Sequence, residues 1–319
     1  MHQRAYRSRI EVFLRECKAT LGIDRLHLQF KKEQLLASSA AAALQLPVVW
    51  TEHGRLPAAF ARTPVALWAY RRASRSAQCI LCVSDAVRNH LATCGVRHER
   101  LLRCYNGIDL PDAGSSSEPA RIRRSLGLPD DALVIGSTSR LTRIKGPRYL
   151  IEALPAVFAQ FPAARALVVG DGPEREALQE RTRQLRCESR VLFTGHRSDA
   201  RTLLAAMNVH VTPSLSDGLS YAVLEAMAAG VPVLATGVGG NPEAVGDAGL
   251  VVEPADATAL TEALTALLAD PARMAWLGER GRQRVATQFS TTRMIDTTES
   301  VFLAAGAQKT PRAAAAEAA

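Results

Sequence analysis

The stretch SLSDGLSYAVLEAMAAGVPVLAT (214–236) decides how this chain folds. It opens on a short polar loop with Asp217 beside Gly218. The apolar spacing that follows predicts a helix from about Leu219, with Glu225 carried inside it. Gly230 can take the left-handed conformation that closes a helix, and Pro232 cannot continue one. PVLAT then reads as a short buried strand. Asp217 and Glu225 stand eight positions apart, so two acids and the backbone N–H groups around Gly218, Leu219 and Ser220 meet at one helix start. Such N–H groups and the positive end of a helix attract phosphate and sugar hydroxyls. Carboxylates accept hydrogen bonds from vicinal diols such as ribose.

Working outward, strand-like runs alternate with helical patterns along the whole chain, which predicts parallel α/β sheets. Before residue 110 the strands fall near 25–29, 47–51, 78–83 and 101–104, and helices fill 3–20, 33–45, 56–74 and 85–93. LPDAGSSSEPA (110–120) reads as a linker from its Pro, Ser and Gly content. A second series follows, with strands near 132–138, 166–170, 191–194, 208–212, 232–235 and 250–252. Its helices fall near 147–160, 174–186, 199–206, 219–229, 241–246, 257–268 and 272–288. A last helix covers roughly 290–305, and an Ala-rich tail from 307 reads as disordered. The expected domains are therefore 1–110 and 121–288, joined by 111–120, with a final helix over 289–306.

A chain of 319 residues suits two domains, and 47% hydrophobic content is ample for two cores. No apolar run reaches the length of a membrane span, and the N-terminus lacks the apolar core of a signal peptide, so a cytoplasmic location is expected. The six cysteines show no secreted disulfide pattern; the pair Cys79 and Cys82 lies inside the apolar run CILCV, which reads as a core strand rather than a zinc site. The formal charge of +8 is uneven: residues 1–109 hold 17 Lys/Arg against 8 Asp/Glu, and the remainder 22 against 23. The basic excess favours an anionic surface or substrate near the first domain. No motif or stacking pattern points to nucleic acid.

The 214–236 stretch resembles the signature of family 4 retaining glycosyltransferases, SxxEGFGxxxLEAMAxGxPVxAT, with Asp217 in place of the first Glu and Glu225 as the second. DRLHLQF, PVVWTEHG, SDAVRNHLATCGV and CYNGIDL are similar to further segments of that family, so the likeness spans residues 24 to about 305. It implies the GT-B fold, two Rossmann-like domains facing a cleft, with the last helix returning to the first domain. It also implies an incomplete first domain. Family members begin with a strand, a glycine-rich turn and further strand–helix units; at about 30 residues per repeat, roughly 80 residues precede the matching point.

The resemblance also distributes roles. STSRLTRIKGPRYL places Arg140 and Lys145 between a strand and a helix starting at Pro147, where they match the clamp on the donor diphosphate. Gly218, Leu219 and Ser220 would join them, Glu225 would hold the ribose, and Asp217 and His53 would meet the transferred sugar. Gly170 and Gly172, with Gly195, His196 and Arg197, form the loops on the base side. No metal or other cofactor is implied. The expected reaction moves a sugar, with retention, from a nucleotide-sugar to a hydroxyl of a glycan or lipid-linked acceptor. Two other readings share these residues: a catalytically impaired nucleotide-sugar-binding or partner-binding fragment, and a sugar-nucleotide epimerase. Asp217, one methylene shorter than Glu, favours the first; the R-x4-K and D-x7-E arrangement disfavours the second. RLPAAFARTPVALWAYRRASR (55–75) combines Phe60, Leu67, Trp68 and Tyr70 with five arginines, a composition suited to peripheral contact with an anionic membrane.

Overall fold

Alternation of apolar strands with amphipathic helices yields two parallel sheets, each in its own unit. The structure, a computed structural model, describes residues 2–111 and 118–306. Unit 1 comprises the residues up to Asn106 and those from Thr292 on; unit 2 runs from Gly107 to Thr291.

Unit 1 begins with α1 (His2–Leu21), β1 (Leu26–Leu28), α2 (Lys31–Ala43) and β2 (Val48–Glu52). Helices α3 (Ala58–Ala61) and α4 (Pro64–Ser74) lead to β3 (Ala77–Cys82), α5 (Asp85–Thr93) and β4 (Leu101–Arg103). The sheet order is β1-β2-β3-β4 and every pair is parallel. Burial of Val48, Val49 and Trp50 in β2 and of Ile80 and Leu81 in β3 holds the sheet together. The segment expected as one helix over 56–74 is two, because Pro64 cannot donate to a preceding turn and starts a new helix instead.

Unit 2 follows with α6 (Glu118–Ser125), β5 (Leu133–Thr138), α7 (Pro147–Gln160), β6 (Ala164–Val169), α8 (Arg175–Gln184) and β7 (Val191–Gly195). Then come α9 (Ala200–Leu203), β8 (Val209–Thr212), α10 (Tyr221–Ala228), β9 (Val233–Thr236), α11 (Asn241–Val245) and β10 (Gly249–Val252). Helices α12 (Ala257–Leu268) and α13 (Pro271–Gln288) close it. The last helix, α14 (Thr291–Gly306), groups with unit 1: Val301 and Ala305 share a buried cluster with Val49, Cys79, Leu81 and Cys104, and Arg25 Nη1 donates to Phe302 O at 2.5 Å.

The six strands of unit 2 are ordered β10-β9-β8-β5-β6-β7, all parallel. The chain starts in the middle with β5, runs outward through β6 and β7, then returns to the other side of β5 with β8. This is the doubly wound order, whose reversal lies between β5 and β8. Leu150, Leu154 and Val157 of α7 with Leu260, Leu264 and Leu267 of α12 form much of the core against one face of the sheet.

Two further expectations change. A helix occupies Glu118–Ser125, so the end of the expected linker 111–120 is helical; Ile122 is buried and Arg123 donates to Ala206 O and Asn208 Oδ1, fastening α6 to unit 2. The rest of that linker, 112–117, and the tail expected as disordered over 307–319 lie outside the described residues. Helix α10 begins at Tyr221 rather than Leu219, with Ser220 extended as its N-cap. Cys79 and Cys82 lie in the interior as expected of a core strand, and burial pushes their thiols up to about 12; Cys17 is half-buried.

Candidate functional site

Ligands of doubly wound sheets bind beyond the carboxyl ends of the strands at the reversal of strand order. In unit 2 that point is flanked by the loop after β5, residues 139–146, and the loop after β8, residues 213–220. The two loops touch. Lys145 Nζ donates to Asp217 Oδ2 at 2.7 Å, with 23% and 12% of the two side chains exposed, and Leu215 N donates to Ile144 O at 2.8 Å. Gly218 N donates to Asp217 Oδ1 at 3.1 Å, and Ser214 Oγ lies 3.3 Å from Oδ2. The carboxylate is therefore bonded on both oxygens and aimed, and it holds the ammonium of Lys145 at the start of α7. Arg140 lies in the same loop, exposed, and its guanidinium makes no hydrogen bond or ion pair among the described residues.

A third loop supports this pair from beneath. After β9 the chain turns through Gly239, φ +56, and Gly240 N donates to Gly218 O at 2.6 Å. Thr236 Oγ1 donates to Ser214 O at 2.6 Å, tying the end of β9 to the loop after β8.

Glu225 sits on α10, the helix into which the Asp217 loop runs directly. Its carboxyl is raised above the usual range by burial, partly opposed by Arg201, whose Nε lies 3.8 Å away. Arg201 also donates to Asp109 O at 2.9 Å. Leu219 and Ser220 are buried beside the helix start.

The base-side loops divide. Gly170 N donates to Gly195 O at 2.9 Å, so the ends of β6 and β7 are joined there. Gly170 has φ +137, and a Cβ would fall 1.9 Å from Ser139 O: only glycine lets this turn lie against the Arg140 loop. Gly172 N donates to Asp171 Oδ1 at 2.7 Å. His196 is exposed, whereas Arg197 is paired with Asp199 through two contacts of 2.7 Å.

In unit 1, His53 follows β2 and is exposed, with Nε2 3.2 Å from Gln29 Oε1; burial and the charge of Lys31 lower its pKa. Beside it lies a buried group of which the sequence pointed only to Glu52, and not to its pairing with Lys31 and Tyr70. Glu52, 2% exposed, is paired with Lys31 and accepts from Tyr70 Oη–H at 2.6 Å. Burial lowers the Lys31 pKa to about 7. A Glu at a strand end is the one signal that pointed there. His210 was also missed, because a lone His in VHVT reads as a core position. Among the described residues, no group of three His, Cys, Asp or Glu is placed to hold a metal ion, and no helix is long and apolar enough to cross a membrane.

The family profile "Glycosyltransferase Family 4" matches residues 2–111, and "Glycosyl transferases group 1" matches 132–270. The GDP-mannose-dependent alpha-(1-6)-phosphatidylinositol monomannoside mannosyltransferase of Mycolicibacterium smegmatis is 34% identical over 260 residues, 78% of this chain and 68% of the relative. This chain belongs to glycosyltransferase family 4. A second member, the GDP-mannose-dependent monoacylated alpha-(1-6)-phosphatidylinositol monomannoside mannosyltransferase of Corynebacterium glutamicum, is 30% identical over 266 residues, 80% of this chain and 70% of the relative. The family 4 chain is also similar in structure to Anabaena HepE in complex with UDP, with a TM-score of 0.85 and 24% identity over 92% of this chain and 82% of that one. Sucrose-phosphate synthase from Thermosynechococcus elongatus gives 0.77 and 26%, covering 92% and 76%. The fold is therefore GT-B and the protein is a glycosyltransferase.

Proposed function

We propose that the chain transfers a hexose, with retention, from a nucleoside-diphosphate sugar to a hydroxyl acceptor. The observation that carries this reading is the Lys145–Asp217 pair at the strand-order reversal, with Arg140 beside it. The diphosphate lies over the start of α7, where Lys145 exchanges its carboxylate partner for phosphate and Arg140 adds a second charge. Glu225 accepts from the ribose hydroxyls, and its burial strengthens such bonds. The bond between the anomeric carbon and the β-phosphate oxygen breaks while the acceptor oxygen attacks from the same face. The departing phosphate oxygen takes the acceptor's proton, and the cationic groups stabilise the charge left on the diphosphate without a metal. The printed names of relatives and neighbours, GDP-mannose-dependent enzymes and a UDP complex, support a nucleotide-sugar donor.

Lys145→Ala removes a charge-assisted contact of roughly 1.5–3 kcal/mol, about 10- to 100-fold in affinity. Calorimetry with UDP and with GDP measures it. Unchanged affinity in a folded variant rejects the diphosphate clamp.

A lipid-linked acceptor is the proposed acceptor class, reached by peripheral contact with an anionic membrane on the cytoplasmic side. Helix α4 supports this: Val65 and Trp68 are 74% and 62% exposed, Arg71 and Arg72 are exposed, and the Arg72 guanidinium lies 5.9 Å from the Trp68 ring. Tyr70 and Ser74 take the buried face instead. Each arginine contributes about 1 kcal/mol near an anionic surface. Co-sedimentation with anionic vesicles at low salt is expected, with neutral vesicles not, and Arg71→Glu with Arg72→Glu should abolish it. Equal recovery with both vesicle types removes the surface contact.

A further inference from the structure

The two central strands of unit 2 come apart just before the site. Strand β5 pairs with β6 along its whole length, to Thr138↔Val169, and β8 pairs with β9 to Thr212↔Ala235. Between β5 and β8 the register holds only Ile135↔Val209 and Gly136↔His210. Beyond that rung the strands fork, and each runs straight into a loop of the site: β5 into Arg140 and Lys145, β8 into Asp217.

His210 fills the fork. It is fully buried, and Thr138 N donates to its Nε2 at 3.1 Å. Thr138 Oγ1 lies 2.9 Å from the same nitrogen, and Thr212 Oγ1 lies 3.4 Å from Nδ1. A backbone N–H can only donate, so Nε2 is the acceptor and the ring proton of the neutral imidazole sits on Nδ1, facing Thr212. The side chain thus stands in for the ladder bond that Thr138 loses where the strands part. A buried N–H left unpaired there would draw the strand ends into another arrangement. Above the fork the loops meet again through Leu215–Ile144 and Lys145–Asp217. His210 at the base and the Lys145–Asp217 pair at the rim therefore fix both sides of one opening.

We infer that His210 is a positioning residue for the donor site: its neutral ring holds the β5–β8 fork at the spacing that brings the Lys145 and Asp217 loops to one diphosphate. This rests on the proposed donor reading. Among the described residues the ring's hydrogen-bond partners are Thr138 N and the Thr138 and Thr212 hydroxyls, none of them charged, and burial keeps it neutral.

The test compares His210→Phe, which keeps a ring but offers no acceptor, with His210→Gln, whose amide oxygen can accept from Thr138 N. UDP and GDP affinities are measured by calorimetry at pH 7.5, beside thermal unfolding. His210→Phe should weaken the nucleotide that wild type binds by about tenfold, and His210→Gln should restore most of it. A folded His210→Phe variant with wild-type affinity overturns the inference, whereas wild type binding neither nucleotide overturns the donor reading itself. Long-range proton–nitrogen spectra of wild type give an arm that needs no variant to fold. The His210 ring should show a protonated Nδ1 and an accepting Nε2 that shifts when nucleotide is added. A protonated Nε2, or ring resonances unmoved at saturating nucleotide, overturns it.

Discussion

Gly239→Ala should fold yet lose sugar transfer by about 100-fold, the effect expected of roughly 1 Å of misplacement at a reacting centre. Gly239 has φ +56, and a Cβ there would stand 1.9 Å from Asp217 O, 2.7 Å from Asp217 C and 3.2 Å from Gly218 O. Backbone oxygen cannot yield as a flexible side chain can. The loop after β8 must therefore move, carrying Asp217 away from Lys145 and breaking the 2.6 Å bond from Gly240 N to Gly218 O. The left-handed conformation alone costs an alanine about 1–2 kcal/mol. Gly237→Ala is the control two residues earlier: its Cβ would meet Val251 Cγ1 at 3.4 Å, an ordinary contact, and φ is not left-handed. Turnover of the nucleotide-sugar that wild type uses, measured for both variants, decides the matter. Equal rates would show that the turn after β9 does not set the position of Asp217.

This dependence of one loop on another explains what the sequence could and could not convey. Helix α7 was legible to the residue, because Gly146 and Pro147 mark its start and its apolar spacing runs unbroken to Gln160. Helix α12 was legible for the same reason, with Asp256 accepting from Ala259 N as its cap. Helix α6 was not: it has one buried apolar residue, Ile122, and its stability comes from Arg123 reaching Asn208, far along the chain. Local pattern carries no trace of such a contact.

The site divides along the same line. Arg140, Lys145 and Asp217 sit at strand–loop–helix junctions and Glu225 lies inside α10, placements that are written locally; their roles came from the family resemblance. That Lys145 and Asp217 form an ion pair, 72 positions apart, follows from the order of strands in the sheet. Arg197 was assigned to the base side from its position after β7. Its pairing with Asp199, two residues on, occupies the guanidinium in the structure. His210 shows the reverse case: the residue type invited chemistry, the surrounding Val-His-Val-Thr suggested a core strand, and the structure gives it a bonded place inside the fork.

His210 also sets an expected pH dependence of stability. Its imidazole is fully buried, and that burial lowers its pKa from 6.5 to about 4. The unfolded chain therefore takes up a proton on this residue below about 6.5, while the folded chain resists until about 4. Between those values the unfolded state binds more protons, so stability rises with pH. The contribution is complete above pH 6.5 and is lost as pH falls through the folded value, a total of roughly 3 kcal/mol. The proton would enter at Nε2, the atom that accepts from Thr138 N, so charging the ring also breaks the bond that closes the fork. Carboxylates titrate in the same range, and a second protein separates their effect. Urea unfolding of wild type and His210→Gln at intervals from pH 4 to 7.5 should give a steeper fall for wild type, with the difference between them shrinking toward acid by about that amount. Parallel curves would mean that His210 titrates alike in the folded and the unfolded chain, and the fork would then need another explanation.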